Sequence, residues 1–251
     1  MMKKLLIVLF VLVFAAVSSF ADFRQDEKPV TMIHADTAYT LSQNEWTIDL
    51  IGPVSYGIID SLQVGTNFWI WFAQIPNVFV KWNIISEDEM LPALSLGGLF
   101  GSLTLTGTNN LDQEAKLTTM LYNFAFYASK RLSEQFYVNA SYSYNGLGIV
   151  YEGPEGTINL VNDINNALGT TDSLAMSIVS LGGIYELSGA ARLMIEGIAY
   201  FYQVSSRFAV SPGFEWALGD TFRLKLAVTV NNFDSSKVAY VPYLNLKWRL
   251  K

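Results

Sequence analysis

The stretch Phe222-Arg223-Leu224-Lys225-Leu226-Ala227-Val228-Thr229-Val230-Asn231-Asn232 decides the fold. Successive side chains of a β-strand point to opposite faces. One face therefore reads Phe222, Leu224, Leu226, Val228, Val230 and the other Arg223, Lys225, Ala227, Thr229, Asn231. The same division runs through residues 237–251, where Val238, Tyr240, Pro242, Leu244, Leu246, Trp248 and Leu250 oppose Tyr243, Asn245, Lys247 and Arg249. It recurs where Phe136, Val138, Ala140, Tyr142 and Tyr144 alternate with Tyr137, Asn139, Ser141, Ser143 and Asn145. A soluble sandwich also alternates, but here the apolar face carries no charge in any of the three. An Arg or Lys on that face would cost about 2–4 kcal/mol at a bilayer midplane.

Outward from these strands, alternating segments of about ten residues separated by turns form the pattern of a membrane-spanning, antiparallel up-and-down β-barrel. Strands are expected at 45–59, 62–74, 77–85, 92–106, 117–131, 135–150, 174–187, 191–204, 207–218, 221–232 and 237–250. A further strand at 30–41, poorly alternating, brings both termini to one side and the count to twelve, with ten as the alternative. Tight turns at Asp60-Ser61, Ser133-Glu134, Ser188-Gly189 and Gly219-Asp220, with a slightly longer one at 86–91, are assigned to the periplasmic rim. The longer segments 107–116 and 152–172 fall on the outer rim. Within the second, Ile158, Val161, Ile164 and Leu168 fit one face of a short helix stopped by Gly169.

Composition agrees with a membrane barrel. Mean hydropathy is +0.28 and aromatics make up 14%, yet beyond the N-terminus no apolar run reaches the length of a spanning helix, about 20 residues. The barrel is the other structure that satisfies every backbone group in lipid. Residues 1–21 read as a cleaved signal peptide: Lys3 and Lys4, an apolar run from Leu5 to Val17, then Ser19-Phe20-Ala21. A short periplasmic segment, 22–29, would follow, and 30–251 would form one barrel domain. Loss of the leader lysines takes the formal charge from −6 to about −8, which argues against nucleic acid as a partner. With no cysteine, disulfides and thiolate metal sites are excluded.

The inward parity of Glu186, Arg192, Glu196, Glu215, Arg223, Lys225, Lys247 and Arg249 predicts a charge network in the lumen. Counting across the turns places Glu186 near Arg192, Glu196 near Glu215, and Glu215 near Arg223. Two facing carboxylates would suit acid–base work; a bracing ladder in which Arg223 neutralises Glu215 is the favoured reading. Asp36 and Asp49 have parity for an acidic outer entrance. Trp69, Trp71, Tyr127, Tyr137, Tyr200, Tyr202 and Tyr243 are expected to line the lumen, and Trp46, Tyr56, Trp82, Trp216 and Trp248 to form interfacial girdles. His34, the only histidine, has no second imidazole for a metal site, so no metal, cofactor or catalytic residue is expected.

The run Thr37-Ala38-Tyr39-Thr40-Leu41, Glu45-Trp46-Thr47-Ile48, Gly52-Pro53, Tyr56-Gly57-Ile58-Ile59-Asp60-Ser61-Leu62-Gln63-Val64-Gly65-Thr66 resembles the opening of a widespread group of Gram-negative outer-membrane barrels. The resemblance covers about 30 residues and implies a barrel with no assigned substrate. The C-terminus departs from the usual final aromatic, since Lys251 is last. The expected partners are outer-membrane lipid, the barrel assembly machinery and small solutes. The leading expectation is a porin-like channel or transporter; the alternative is a structural or interaction barrel with a side-chain-filled lumen, and a lipid- or glycan-acting enzyme ranks third.

Overall fold

The computed structural model describes residues 23, 27–108, 114–153, 173–202, 205–234 and 237–251. The leader at 1–21 and the helix expected near 157–168 lie outside them. Among the described residues, twelve antiparallel strands close in sequence order into an up-and-down barrel. They are β1 Trp46–Asp49, β2 Pro53–Ile59, β3 Leu62–Asn67, β4 Asn77–Ile85, β5 Ala93–Thr108, β6 Glu114–Arg131, β7 Phe136–Glu152, β8 Ser173–Ser188, β9 Ala191–Phe201, β10 Ser206–Ala217, β11 Phe222–Asp234 and β12 Lys237–Leu250. One helix, α1 Phe68–Phe72, follows β3. Closure joins β1 to β12 from Trp46↔Leu250 to Asp49↔Lys247.

The count of twelve arises differently from the expectation. Residues 30–41 form no strand of the wall; their one bridge joins Thr31 to Asp36 within the segment. The strand expected at 45–59 is instead two. Asp49 Oδ1 accepts the N–H groups of Ile51 (3.1 Å) and Gly52 (2.8 Å), and Pro53, which has no N–H, starts β2 on the way back. A carboxylate that captures following N–H groups, then Gly-Pro, is a turn signal. The strand expected at 62–74 ends at Asn67, whose side-chain oxygen accepts the N–H of Trp69 at 3.0 Å and starts α1.

The tight turns gather at one end of the barrel with the C-terminus, here the near rim; the other end is the far rim. The outer face carries Phe124, Leu181, Ile195, Phe208 and Leu244, each more than half exposed. An apolar exterior of this extent is compatible with a membrane. No described helix is long and apolar enough to cross one. Trp46, Trp82 and Trp248 are exposed, and Trp46 lies 4.6 Å from its cross-strand neighbour Tyr56 between ring centroids. Trp216 is covered, stacked on Phe214.

In a bilayer the outward set should tolerate only apolar residues. Val228→Arg is expected to lower the unfolding free energy in bilayers by about 2–4 kcal/mol, with Val228→Leu nearly neutral; urea titration of the reconstituted protein measures both.

Candidate functional site

The near half of the barrel is filled largely by the chain itself. Residues 27–45 run through the lumen before the wall begins, and Val30, Met32, Ile33, Ala38, Tyr39 and Leu41 are buried against Tyr127, Tyr137, Ile184 and Met194 of the wall. Two wall glycines make room for this plug. A Cβ at Gly57 would stand 2.1 Å from the backbone oxygen of Ser42, and one at Gly182 would meet the Met32 methyl at 2.4 Å.

Charge holds the plug in place. Glu27 is paired by Arg223, whose Nε donates to it at 3.0 Å and whose Nη2 donates to its other oxygen. Arg249 Nη1 lies 3.1 Å from Glu27, and Arg192 Nη2 donates to the Glu27 carbonyl at 2.7 Å. Arg249 also grips Glu45 through two 3.0 Å bonds, pinning the other end of the plug. Such fork-to-fork pairs are the strongest of the charge-assisted bonds. Lys225 donates to the Met32 carbonyl and to Thr31, which also accepts from Lys247. On the opposite wall, Lys81 lies 3.9 Å from Asp36.

One carboxylate of the wall answers in kind. Glu196, fully buried, accepts the N–H groups of Ile33 (3.1 Å), His34 (2.7 Å) and Ala35 (3.1 Å), and the Ser180 hydroxyl at 2.6 Å. Consecutive N–H groups converging on an anion form a nest. His34 Nε2 reaches Ser211 Oγ (3.1 Å) and Thr229 Oγ1 (2.7 Å). Ser211 has no exposed surface, so it lacks the access a nucleophile needs. Among the described residues no cluster of His, Asp and Glu is arranged to hold a metal ion.

The expected residues divide accordingly. Glu186 and Arg192 are cross-strand partners joined at 2.9 Å. Glu196 does not face Glu215: its register partners are Gly182 and Ser211, while Glu215 sits between Arg192 and Lys225. Arg223 stands opposite Ala217 and Lys247, so its counter-charge is Glu27 rather than Glu215. The β9–β10 turn centres four positions short in register sum, and the β10–β11 turn two positions long. Even slips preserve the face and change the partner. Tyr127 and Tyr137 are buried, Tyr243 packs on the plug, and Tyr200 lines the cavity described below, whereas Tyr202 lies past the end of β9. Trp69 and Trp71 lie on α1, half exposed, not on a lumen strand. Asp49 pairs with Lys247 at 3.6 Å. Lys81 was legible from the alternation of β4, and Glu45 from its parity with Thr47 and Asp49; for Glu27 the sequence holds no signal.

The plug separates two cavities that share no lining residue. On the far side a cavity of about 640 Å³ has His34, Ala35 and Asp36 as its floor and Leu99, Leu121, Leu147, Met176, Ile178 and Ile198 among its walls. On the near side, one of about 490 Å³ is bordered by Lys28, Tyr39, Glu87 and Arg249. The chain matches no family model and no curated protein.

Burial opposes the charge of Glu27, but the hydrogen bond from Arg223 and the charges of Arg249, Arg223 and Arg192 outweigh it and hold the carboxyl at about 2. Its stabilisation is complete above the ordinary value of 4.5 and is lost as the pH falls towards 2. Acid in that window should release the plug, read as protease cleavage within residues 27–45. Glu27→Gln should leave three arginines under-paired, cost about 3–5 kcal/mol and give that cleavage already at neutral pH.

Proposed function

We propose that this chain is an outer-membrane barrel, exported with removal of residues 1–21, that works as a porin-like channel or transporter for small solutes and is held shut by its own N-terminal segment. One observation carries the reading: residues 27–45 interrupt the lumen between two cavities. A volume of about 640 Å³ falls within the range of small-molecule sites, about 300–1,000 Å³. The apolar exterior and the resemblance to Gram-negative outer-membrane barrels support the location, and both partners then follow: lipid around the wall and the assembly machinery that inserts it. With Ser211 enclosed, Glu196 engaged by the plug and Glu215 by Arg192 and Lys225 of the wall, the reading assigns no enzymatic role.

Passage requires the plug to shift, because its backbone crosses the lumen. It is attached through ion pairs, side-chain hydrogen bonds and apolar contacts rather than through the wall ladder, so it can shift without unravelling the strands. The density of those pairs also favours a second reading, in which the plugged barrel is a rigid scaffold presenting its far-rim loops.

The two readings separate in a cysteine-free chain. The Ala38 N–H donates to Ser129 Oγ at 2.7 Å, so Ala38→Cys with Ser129→Cys can tie plug to wall. Under the channel reading, liposomes holding the reduced protein admit small solutes, and oxidation cuts the flux at least tenfold. A folded barrel that admits nothing in either state overturns the channel and leaves the scaffold.

A further inference from the structure

The barrel wall is uneven in height. β5 to β8 run 16–18 residues, while β1, β2 and β3 have 4, 7 and 6. At about 3.3 Å per residue and a tilt of about 40°, β3 rises about 15 Å and β6 about 45 Å. The apolar band of such a barrel is about 25 Å tall. On one side, therefore, the wall ends below the top of that band.

Pairing marks the gap. β4 meets β5 no higher than Asn77↔Gly101, and β1 meets β12 only through residues 247–250. Above these pairs, and among the described residues, β12 from 238 to 244 is laddered to β11 alone, and β5 from 103 to 108 to β6 alone. Among the described residues a notch separates the two edges. Its sill consists of residues 50–52, the upper ends of β2 and β3, and α1.

The sill is built for lipid. Asp49 takes the N–H groups of Ile51 and Gly52, and the Trp69 indole donates to the Leu50 carbonyl, so peptide groups that water would otherwise solvate are satisfied internally. Phe68, Trp69, Trp71 and Phe72 of α1 are all exposed. The β12 edge is built to stay unpaired. Leu246 O accepts from Leu50 N at 2.8 Å, so the even-numbered peptide groups of β12 face the notch. Pro242 is one of them and has no N–H to offer, which disfavours an added strand or a second copy.

The far cavity reaches this sill, since Pro53, Asn67 and Ile70 line it. Most of its exposed lining is apolar, Asn123, Asn145, Ser141 and Ser143 add polar groups, and its floor carries the Asp36 carboxylate, with Lys81 at 3.9 Å. We infer that the cavity is a site for a single-chain amphiphile that enters sideways from the lipid phase through the notch between β12 and β5. The chain lies against Leu121, Leu147 and Ile198, and an uncharged or cationic polar head meets Asp36. This rests on the membrane reading above and names the solute class for the same site.

Two measurements on the full-length protein in nanodiscs test it. With Leu121→Cys carrying an environment-sensitive fluorophore, 1-monolauroylglycerol should give a saturable blue shift, laurate at least tenfold weaker binding, and glycerol none. Asp36→Asn should narrow the difference between the two amphiphiles. The second measurement places a nitroxide at Ile70→Cys, and in parallel at Trp71→Cys in case the first variant misfolds. Relaxation by oxygen, which partitions into lipid, is expected to exceed relaxation by a water-soluble nickel chelate. No saturable shift, or a sill reached mainly by the chelate, overturns the inference; equal binding of laurate overturns the head-group assignment. Solute flux through the reduced cysteine pair together with no amphiphile binding would leave the channel reading standing and this one refuted. Binding without flux would do the reverse.

Discussion

Inward-facing cations in a closed lumen must find counter-charge, and this requirement organises the interior. Arg192, Arg223 and Arg249 are each no more than about 5% exposed, and an unpaired charge at such a site costs several kcal/mol. The wall supplies Glu186, Glu215 and Asp49; the rest comes from the plug, through Glu27, Glu45 and a row of backbone carbonyls. The plug is thus not a loose terminus tucked into a preformed hole. It completes an electrostatic ledger that the twelve strands leave open.

The exchange is reciprocal. A non-helical segment inside a barrel exposes its own N–H and C=O groups to a lumen with little water, and each must be satisfied. Glu196 takes three consecutive N–H groups at the turn, Ser129 and Gln63 take those of Ala38 and Leu41, and Lys225 meets the carbonyl of Met32. Wall and plug therefore stabilise one another by groups that neither could leave bare. Attachment through side chains, rather than through a continuous β-ladder, also makes the plug the separable element of the fold, which is why we propose that it controls passage.

Uneven wall height links this interior to the surroundings. The low side, β1 to β4, is where the chain passes from plug to wall, and the Gly52-Pro53 turn and the Asn67 cap cut the strands short there. The same local choices that break the ladder leave the far cavity bordered by a helix of exposed aromatics. Among the described residues, a filled near half and an unevenly walled far half make a different object from a uniform pore.

The sequence by itself determined the barrel and the inward face of strands such as β7, β11 and β12, because alternation with period two is local and the absence of charge on one face is visible residue by residue; the total of twelve coincided with the structure only because residues 30–41 left the wall while 45–59 divided into two strands. Parity also placed Arg192, Glu196, Glu215, Arg223, Lys225, Lys247 and Arg249 on the inward face, since register slips of two or four leave parity intact, but it left out Lys81, Glu45 and Glu27. Tertiary structure alone decided the pairing of those charges and the fate of residues 27–45. The partner of Arg223 is Glu27, 196 positions away and on no strand, and no periodicity encodes such a contact. The poor alternation of residues 30–41 was legible as a weak strand; that the segment lies within the cylinder follows only once the wall has closed and its cations need an answer.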